Sequence, residues 1–390
     1  MKPQALITHR QSHFLTRDYG VKRRKKIRIL AIDGGGIRGI IPGAILASLE
    51  EKLREKTHNP QAKLTDYFDF IAGTSTGGIL SGLYLIPDEN NPEKSKYSAG
   101  EALDIYMKRG GSVFKSSFWQ KLKTGFGLLK NRYQAKNINE MLKMSYGEKA
   151  WLKDAAKPCL VVSYDLLQQK AYMFTRKSAR ENDNHNFRLW EVARGTSAAP
   201  SYFSPGKMKA AGGQEYVFID GGIIANNPAL CALSEVKKMN FSQIKNWKND
   251  TPVRSEDIIM VSIGTGSEKK ENMPQSMKNK GLLGWIKPIL SVRMMGCSSL
   301  AADHVERELN QGKEKQYFRI DPQLFDADSE MDNASVDNMN LLKEAGLKNA
   351  ELYRELIDQI VESLTVNDHN SDFHVVNMDQ LSRVKLRKAG

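Results

Sequence analysis

Phe68-Asp69-Phe70-Ile71-Ala72-Gly73-Thr74-Ser75-Thr76-Gly77-Gly78-Ile79-Leu80 is the stretch on which the reading of the fold turns. A short apolar run that stops at glycine reads as a buried strand, and the apolar segment after Gly78 reads as a helix. Between them the chain has only a few residues in which to turn, and Gly73 and Gly77 supply the backbone freedom. The same succession occurs upstream. Ile27-Arg28-Ile29-Leu30-Ala31-Ile32-Asp33 reads as a strand that stops at Gly34-Gly35-Gly36, after which Ile41, Ile45, Leu46, Leu49 and Leu53 recur at helical spacing.

Further strands are expected at 158–164, 170–175, 216–220 and 258–263, separated by helical segments such as 227–238, with one or two amphipathic helices over 341–364. Strand and helix in alternation predict an α/β fold: a mainly parallel central sheet with helices on both faces, a three-layer sandwich whose sites gather at the carboxyl ends of strands. The expected organisation is a basic arm over 1–26, one domain over 27–366 with its motifs within 33–222 and a helical C-terminal part over 281–366, and a basic tail over 367–390. Residues 267–280 are polar and lysine-rich and read as a mobile connection.

At 390 residues the chain is long enough for one large domain or two smaller ones. Lysine and arginine number 58 against 45 acids, and the resulting net charge of +13 draws the protein toward polyanions such as anionic lipid or nucleic acid. Part of the excess lies in the ends, at Lys22, Arg23, Arg24, Lys25, Lys26 and Arg28 and again at Arg383, Lys385, Arg387 and Lys388. Such runs read as solvated ends or as anion-docking segments. Cys159, Cys231 and Cys297 are too few and too far apart for a disulfide framework, which fits a reducing, cytoplasmic setting. No signal-peptide pattern opens the chain, and no stretch approaches the ~20 apolar residues of a spanning helix, so any membrane contact is expected to be peripheral and from the inner face. No His, Cys or carboxylate cluster has a metal-site spacing, and no cofactor is expected.

Three glycine-rich turns carry the candidate chemistry. Gly73-x-Ser75-x-Gly77 after a strand is the nucleophile-elbow pattern, in which flanking glycines let a serine hydroxyl stand out at the sheet edge. Gly34-Gly35-Gly36-Ile37-Arg38-Gly39 offers backbone N–H groups at a helix start, a geometry that cradles pyrophosphate, forms an oxyanion hole, or simply lets strand and helix pack closely. A dinucleotide fold wants an acid roughly 20 residues on at a second strand end. Glu50 and Glu51 fall inside the expected helix instead. Asp220-Gly221-Gly222 closes an apolar strand and reads either as a carboxylate near the serine or as an ordinary turn aspartate.

Together these motifs resemble the patatin-like phospholipase family, with secondary likeness at Thr196-Ser197-Ala198-Ala199-Pro200-Ser201-Tyr202-Phe203 and Ser262-Ile263-Gly264-Thr265-Gly266. The resemblance covers about 27–266. It implies a Ser75–Asp220 dyad that cleaves fatty-acyl esters of phospholipids through an acyl-enzyme. Gly34, Gly35, Gly36, Arg38 and Gly39 would form the oxyanion-hole loop, Gly73 and Gly77 the elbow, and Gly221 and Gly222 the turn after the base. Arg38 would touch lipid phosphate or serve as a salt-bridge partner. Some soluble bacterial members of the family are antiphage effectors switched on by cyclic nucleotides, so a cyclic di- or trinucleotide activator is an expected partner on the strength of the resemblance alone.

A phospholipid membrane surface is the other expected partner. Phe118, Trp119, Leu122 and Phe126 can line one helical face beside lysines, either as a docking helix or as an ordinary packed one, and Leu282, Leu283, Trp285, Ile286, Ile289 and Leu290 form a second such group. Two rival readings remain at this level. An ordinary esterase triad would add His304 to Ser75 and Asp220. A non-enzymatic nucleotide-binding module would use the glycine loops alone. No zinc-finger spacing or RNP-like strand is present, so a nucleic acid polymer is not expected, and the oligomeric state is not encoded in any of these patterns.

Overall fold

Five of the six residues of β1 (Ile27–Ile32) are apolar, as a strand covered on both faces requires. In the computed structural model, which describes residues 25–113, 135–200, 202–241, 252–266, 282–312 and 314–366, Leu30 and Ile32 enter one core and Ile27, Ile29 and Ala31 another. β2 (Phe70–Thr74), β3 (Cys159–Asp165) and β7 (Ile258–Ile263) divide their side chains in the same way: Ile71, Val161 and Val261 face the first core, and Ala72, Leu160 and Met260 the second. The first core is closed by α1 (Ile40–Thr57), α2 (Thr76–Leu85), α3 (Ala99–Val113), α4 (Ala135–Tyr146) and α5 (Leu189–Thr196), and the second by α6 (Ala229–Lys238) and α7 (Leu282–Leu309). Two final helices, α8 (Val336–Leu352) and α9 (Arg354–Thr365), return to the first core, where α8 packs on α1. Three layers result.

The sheet is mixed. Strands β3, β2, β1, β7 and β8 (Tyr317–Ile320) run parallel in that spatial order. β4 (Lys170–Thr175) and β6 (Glu215–Asp220) both pair with β3 antiparallel, and β5 (Gly206–Lys209) pairs with β6. The parallel core therefore matches the expectation, with an antiparallel flank added. The expected helical C-terminal part, 281–366, also contributes β8. Strands β5 and β8 escape sequence reading because each has only four residues, too few for a period to register.

The flank places the site. Residues Ser163 to Asp165 of β3 pair with both β4 and β6, so those two strands lie on opposite edges of β3. Leu160 to Val162 pair with both β4 and β2, so β2 and β6 share the remaining edge, end to end. β2 stops with Thr74 opposite Val162, and β6 arrives from the other direction with Asp220 opposite Ser163. Two strand ends thus meet at adjacent positions on one neighbour. The residue after the first end is Ser75, and the last residue of the second is Asp220. The basic arm, the basic tail, the 267–280 connection and the Phe118–Phe126 group lie outside the described residues, apart from Lys25 and Lys26.

Candidate active site

Ser75 has φ 52° and ψ −120°, a conformation that costs an L-residue roughly 1–3 kcal/mol and persists only where surroundings enforce it. The enforcement is visible. Its amide donates to Thr196 Oγ1 at 2.8 Å, and that hydroxyl donates in turn to Val162 O at 2.5 Å. Gly73 and Gly77 make the turn sterically possible. A Cβ on Gly73 would stand 2.3 Å from Gly77 O, and one on Gly77 would stand 2.1 Å from Ile32 O.

The Ser75 hydroxyl donates to Asp220 Oδ2 at 2.6 Å. The other oxygen of Asp220 accepts from the Gly222 amide at 2.7 Å, so the carboxylate is held from both sides. Burial pushes the Asp220 carboxyl up to about 6, against the lowering effect of the Ser75 and Gly222 hydrogen bonds. A carboxylate with a pKa in that range, already hydrogen-bonded to a hydroxyl, is placed to take the hydroxyl proton and to return it later. The 196–198 segment braces both strand ends, because Ala198 O accepts from Asp220 N and Thr196 O from Gly221 N. Gly221 must be glycine, since a Cβ there would meet Val162 O at 2.2 Å.

The glycine loop is oriented through its carbonyls. Gly34 O accepts from Thr265 Oγ1 at 2.7 Å, Gly35 O from Arg38 Nε at 3.3 Å and Gly36 O from the Tyr106 hydroxyl at 2.9 Å. In a trans peptide the following N–H points the opposite way, so pinning these carbonyls also aims the N–H groups of Gly35, Gly36 and Ile37. Ile37 N donates to Met331 O, whereas no hydrogen bond engages Gly35 N or Gly36 N among the described residues. The loop lies against the serine: a point at the Cβ position of Gly34 is 3.2 Å from Ser75 Cβ.

Other members of the loop have structural work. The Gly34 amide, expected among the oxyanion donors, donates to Asn226 O at 3.0 Å. Arg38 is buried, donates also to Gly266 O at 2.9 Å, and is brought down to about 10 by burial. Both of these hydrogen bonds thus go to backbone carbonyls, one in the loop and one in its brace. Gly39 gives room to Thr76, whose Oγ1 would stand 2.0 Å from a Cβ there. Asp33, at the head of the loop, accepts two hydrogen bonds from Arg319 of β8, at 2.9 and 2.7 Å. Tyr106, Asn226, Ser298 and Arg319 were invisible as site residues in the sequence because their partners lie far away along the chain, and Thr196 showed only as the first residue of a secondary family motif. Asn226 reaches α7, donating from Nδ2 to Ser298 Oγ at 3.0 Å. His304 is exposed on α7, and no hydrogen bond joins it to Ser75 or Asp220 among the described residues. With the serine hydroxyl already on the aspartate, the triad has no position for a bridging imidazole.

The Patatin-like phospholipase family model matches residues 30–233, which hold all three glycine turns and both dyad residues. The chain belongs to the patatin-like phospholipase family. Patatin-like protein 2 of Oryza sativa subsp. indica is 32% identical over 341 residues, covering 83% of each chain. Patatin-like protein 6 of Arabidopsis thaliana is 31% identical over 307 residues, and there the match covers 76% of this chain but only 59% of the relative. Probable inactive patatin-3-Kuras 1 of Solanum tuberosum is 30% identical over 82% of this chain and 85% of its own. Family likeness therefore extends to a relative named as probably inactive, and the hydrogen-bonded Ser75–Asp220 pair is what argues for chemistry in this patatin-like protein. No described helix is long and apolar enough to cross a membrane.

Proposed function

We propose that this patatin-like protein is a lipid acyl hydrolase that cleaves fatty-acyl esters of phospholipids at a membrane surface. The observation that carries the reading is the 2.6 Å hydrogen bond from Ser75 Oγ to Asp220 Oδ2. Ser75 Oγ attacks the ester carbonyl carbon while Asp220 takes the hydroxyl proton, and charge builds on the carbonyl oxygen. Gly35 N–H and Gly36 N–H stabilise that oxyanion, helped by the positive end of α2 immediately after Ser75. Collapse of the tetrahedral species breaks the C–O bond to the lysolipid, which leaves with the proton from Asp220. Water then adds to the acyl-enzyme with Asp220 again accepting a proton, and fatty acid departs with regeneration of Ser75. Family membership supports this substrate class, and the elevated pKa of Asp220 supports its part as base.

Release of fatty acid from phospholipid vesicles by purified protein is the direct test, and full activity is expected in excess chelator because no step uses a metal. Absence of release from both vesicles and soluble esters would overturn the proposal. Activation by a cyclic di- or trinucleotide, which only the resemblance suggests, is tested by repeating the assay with a panel of such nucleotides.

The pH profile on a soluble ester follows from the base. With Asp220 titrating at about 6, kcat/KM should fall about tenfold for each pH unit below that value and run level above it. A profile flat down to pH 5 would mean that the Asp220 carboxyl is not raised and that another group limits the rate.

A further inference from the structure

The inward face of α7 is tied to the turn that carries Asp220. Met294 Cε lies 3.2 Å from the Cβ position of Gly222, and Ser298 receives hydrogen bonds from Asn226 and Asn227; exposed Arg293, at the border with the opposite face, donates to Ile223 O. Val305 and Leu309 continue this face into the core. At 100° per residue the opposite face passes through Trp285, Ile289, Val292 and Leu300, which fall within about a third of the helix circumference. Those four side chains are 42%, 58%, 51% and 71% exposed. Soluble helices place polar residues on the outside, and along this face α7 places charged ones only from Asp303 onward, at Asp303 and Arg307.

We propose that this outward face of α7 is the surface by which the protein docks on an anionic lipid bilayer. It rests on the lipid-hydrolase reading of the site. Three observations select a bilayer over another protein. The 282–302 segment holds Lys287 and Arg293 and no acid, so its charge complements anionic headgroups, as does the chain's net +13. The four side chains are one tryptophan and three aliphatics, suited to insertion at the level between headgroups and acyl chains. Four half-exposed side chains also fall far short of the about 800 Å² per partner that a stable dimer buries. Docking here would bring the bilayer to within about one helix diameter, roughly 10 Å, of the Asp220 turn.

The test uses vesicles of equal parts phosphatidylglycerol and phosphatidylcholine, and Ile289→Glu and Val292→Glu, singly and together. Both sites are more than half exposed, so the fold should persist, and Ile289→Ser serves as a milder second variant. Sedimentation with vesicles should show at least tenfold weaker binding for the double variant, and fatty acid release from vesicles should fall in proportion. Turnover of a soluble short-chain ester should stay within twofold of the parent. Unchanged vesicle binding, or equal loss on both substrates, would overturn the inference. So would gel filtration showing a parent dimer that the glutamates dissociate, since the face would then cover a second copy. Sedimentation of the Ser75→Ala protein reads docking without turnover, so a protein that binds through α7 yet releases no fatty acid would sink the hydrolase reading and leave the docking surface standing.

Discussion

Ser75→Ala and Asp220→Asn should each lower kcat on a soluble ester by roughly 10³-fold or more, and the double variant should be little worse than either, because members of one catalytic unit do not act additively. Asparagine keeps the shape of the site. Its Oδ1 can still accept from Gly222 N while its amide donates to Ser75 Oγ, but nothing remains there to take the hydroxyl proton. His304→Ala should remain near the parent rate, since His304 sits exposed on α7. A second readout separates lost chemistry from lost folding. The folded-state pKa of Asp220, about 6, lies above its unfolded value of 3.8, so the folded protein binds this proton more tightly. Stability contributed by that difference is present below about pH 4 and is lost as pH rises through 6. At pH 8 the parent carries the cost of a buried carboxylate, and Asp220→Asn removes it. The variant should therefore be more stable than the parent at pH 8, by on the order of 1–3 kcal/mol, with the gain gone at pH 4. An inactive Asp220→Asn protein that melts earlier than the parent at pH 8 would contradict this account.

Much of the site was legible because glycine is a local signal. Gly35, Gly73, Gly77 and Gly221 each occupy a place where a Cβ would strike a neighbour within 2.3 Å, and such places advertise themselves as glycine clusters at strand ends. Strand β4 and strand β7 match their expected bounds, and the segment over 341–364 resolves into α8 and α9. What the sequence withheld was long-range pairing. Nothing local says that β6 abuts β2 on one edge of β3, yet that arrangement alone brings Ser75 to Asp220, 145 residues away. The braces of the glycine loop are hidden for the same reason: Thr265 is 231 residues from Gly34, and Arg319 is 286 from Asp33. A threonine or arginine at a strand end has many ordinary uses, and only the folded register selects this one.

Gly77→Ala should cost about 100-fold in kcat and lower the melting temperature, although alanine is the better helix former by up to about 1 kcal/mol. Gly77 opens the second position of α2, where intrinsic propensity alone would welcome a methyl group. That methyl group would stand 2.1 Å from Ile32 O, 2.6 Å from Ile32 C and 2.7 Å from Asp33 O, all backbone atoms at the end of β1. A flexible side chain could swing aside, but a central strand paired on both edges cannot. Either α2 backs away and carries Ser75 with it, or the Asp33–Gly34 step moves and disturbs the loop whose amides face the oxyanion. A displacement of roughly 1 Å in reacting groups is enough for a loss of about 10² in rate. Gly100→Ala supplies the control, since nothing lies within 4 Å of a Cβ at that position in α3. It should leave turnover unchanged and stability equal or slightly raised. Measuring kcat on a soluble ester, with near-ultraviolet circular dichroism to confirm packing, distinguishes a shifted elbow from an unfolded protein. A folded Gly77→Ala enzyme with parental turnover would show that the close approach of α2 to β1 is not what positions the serine.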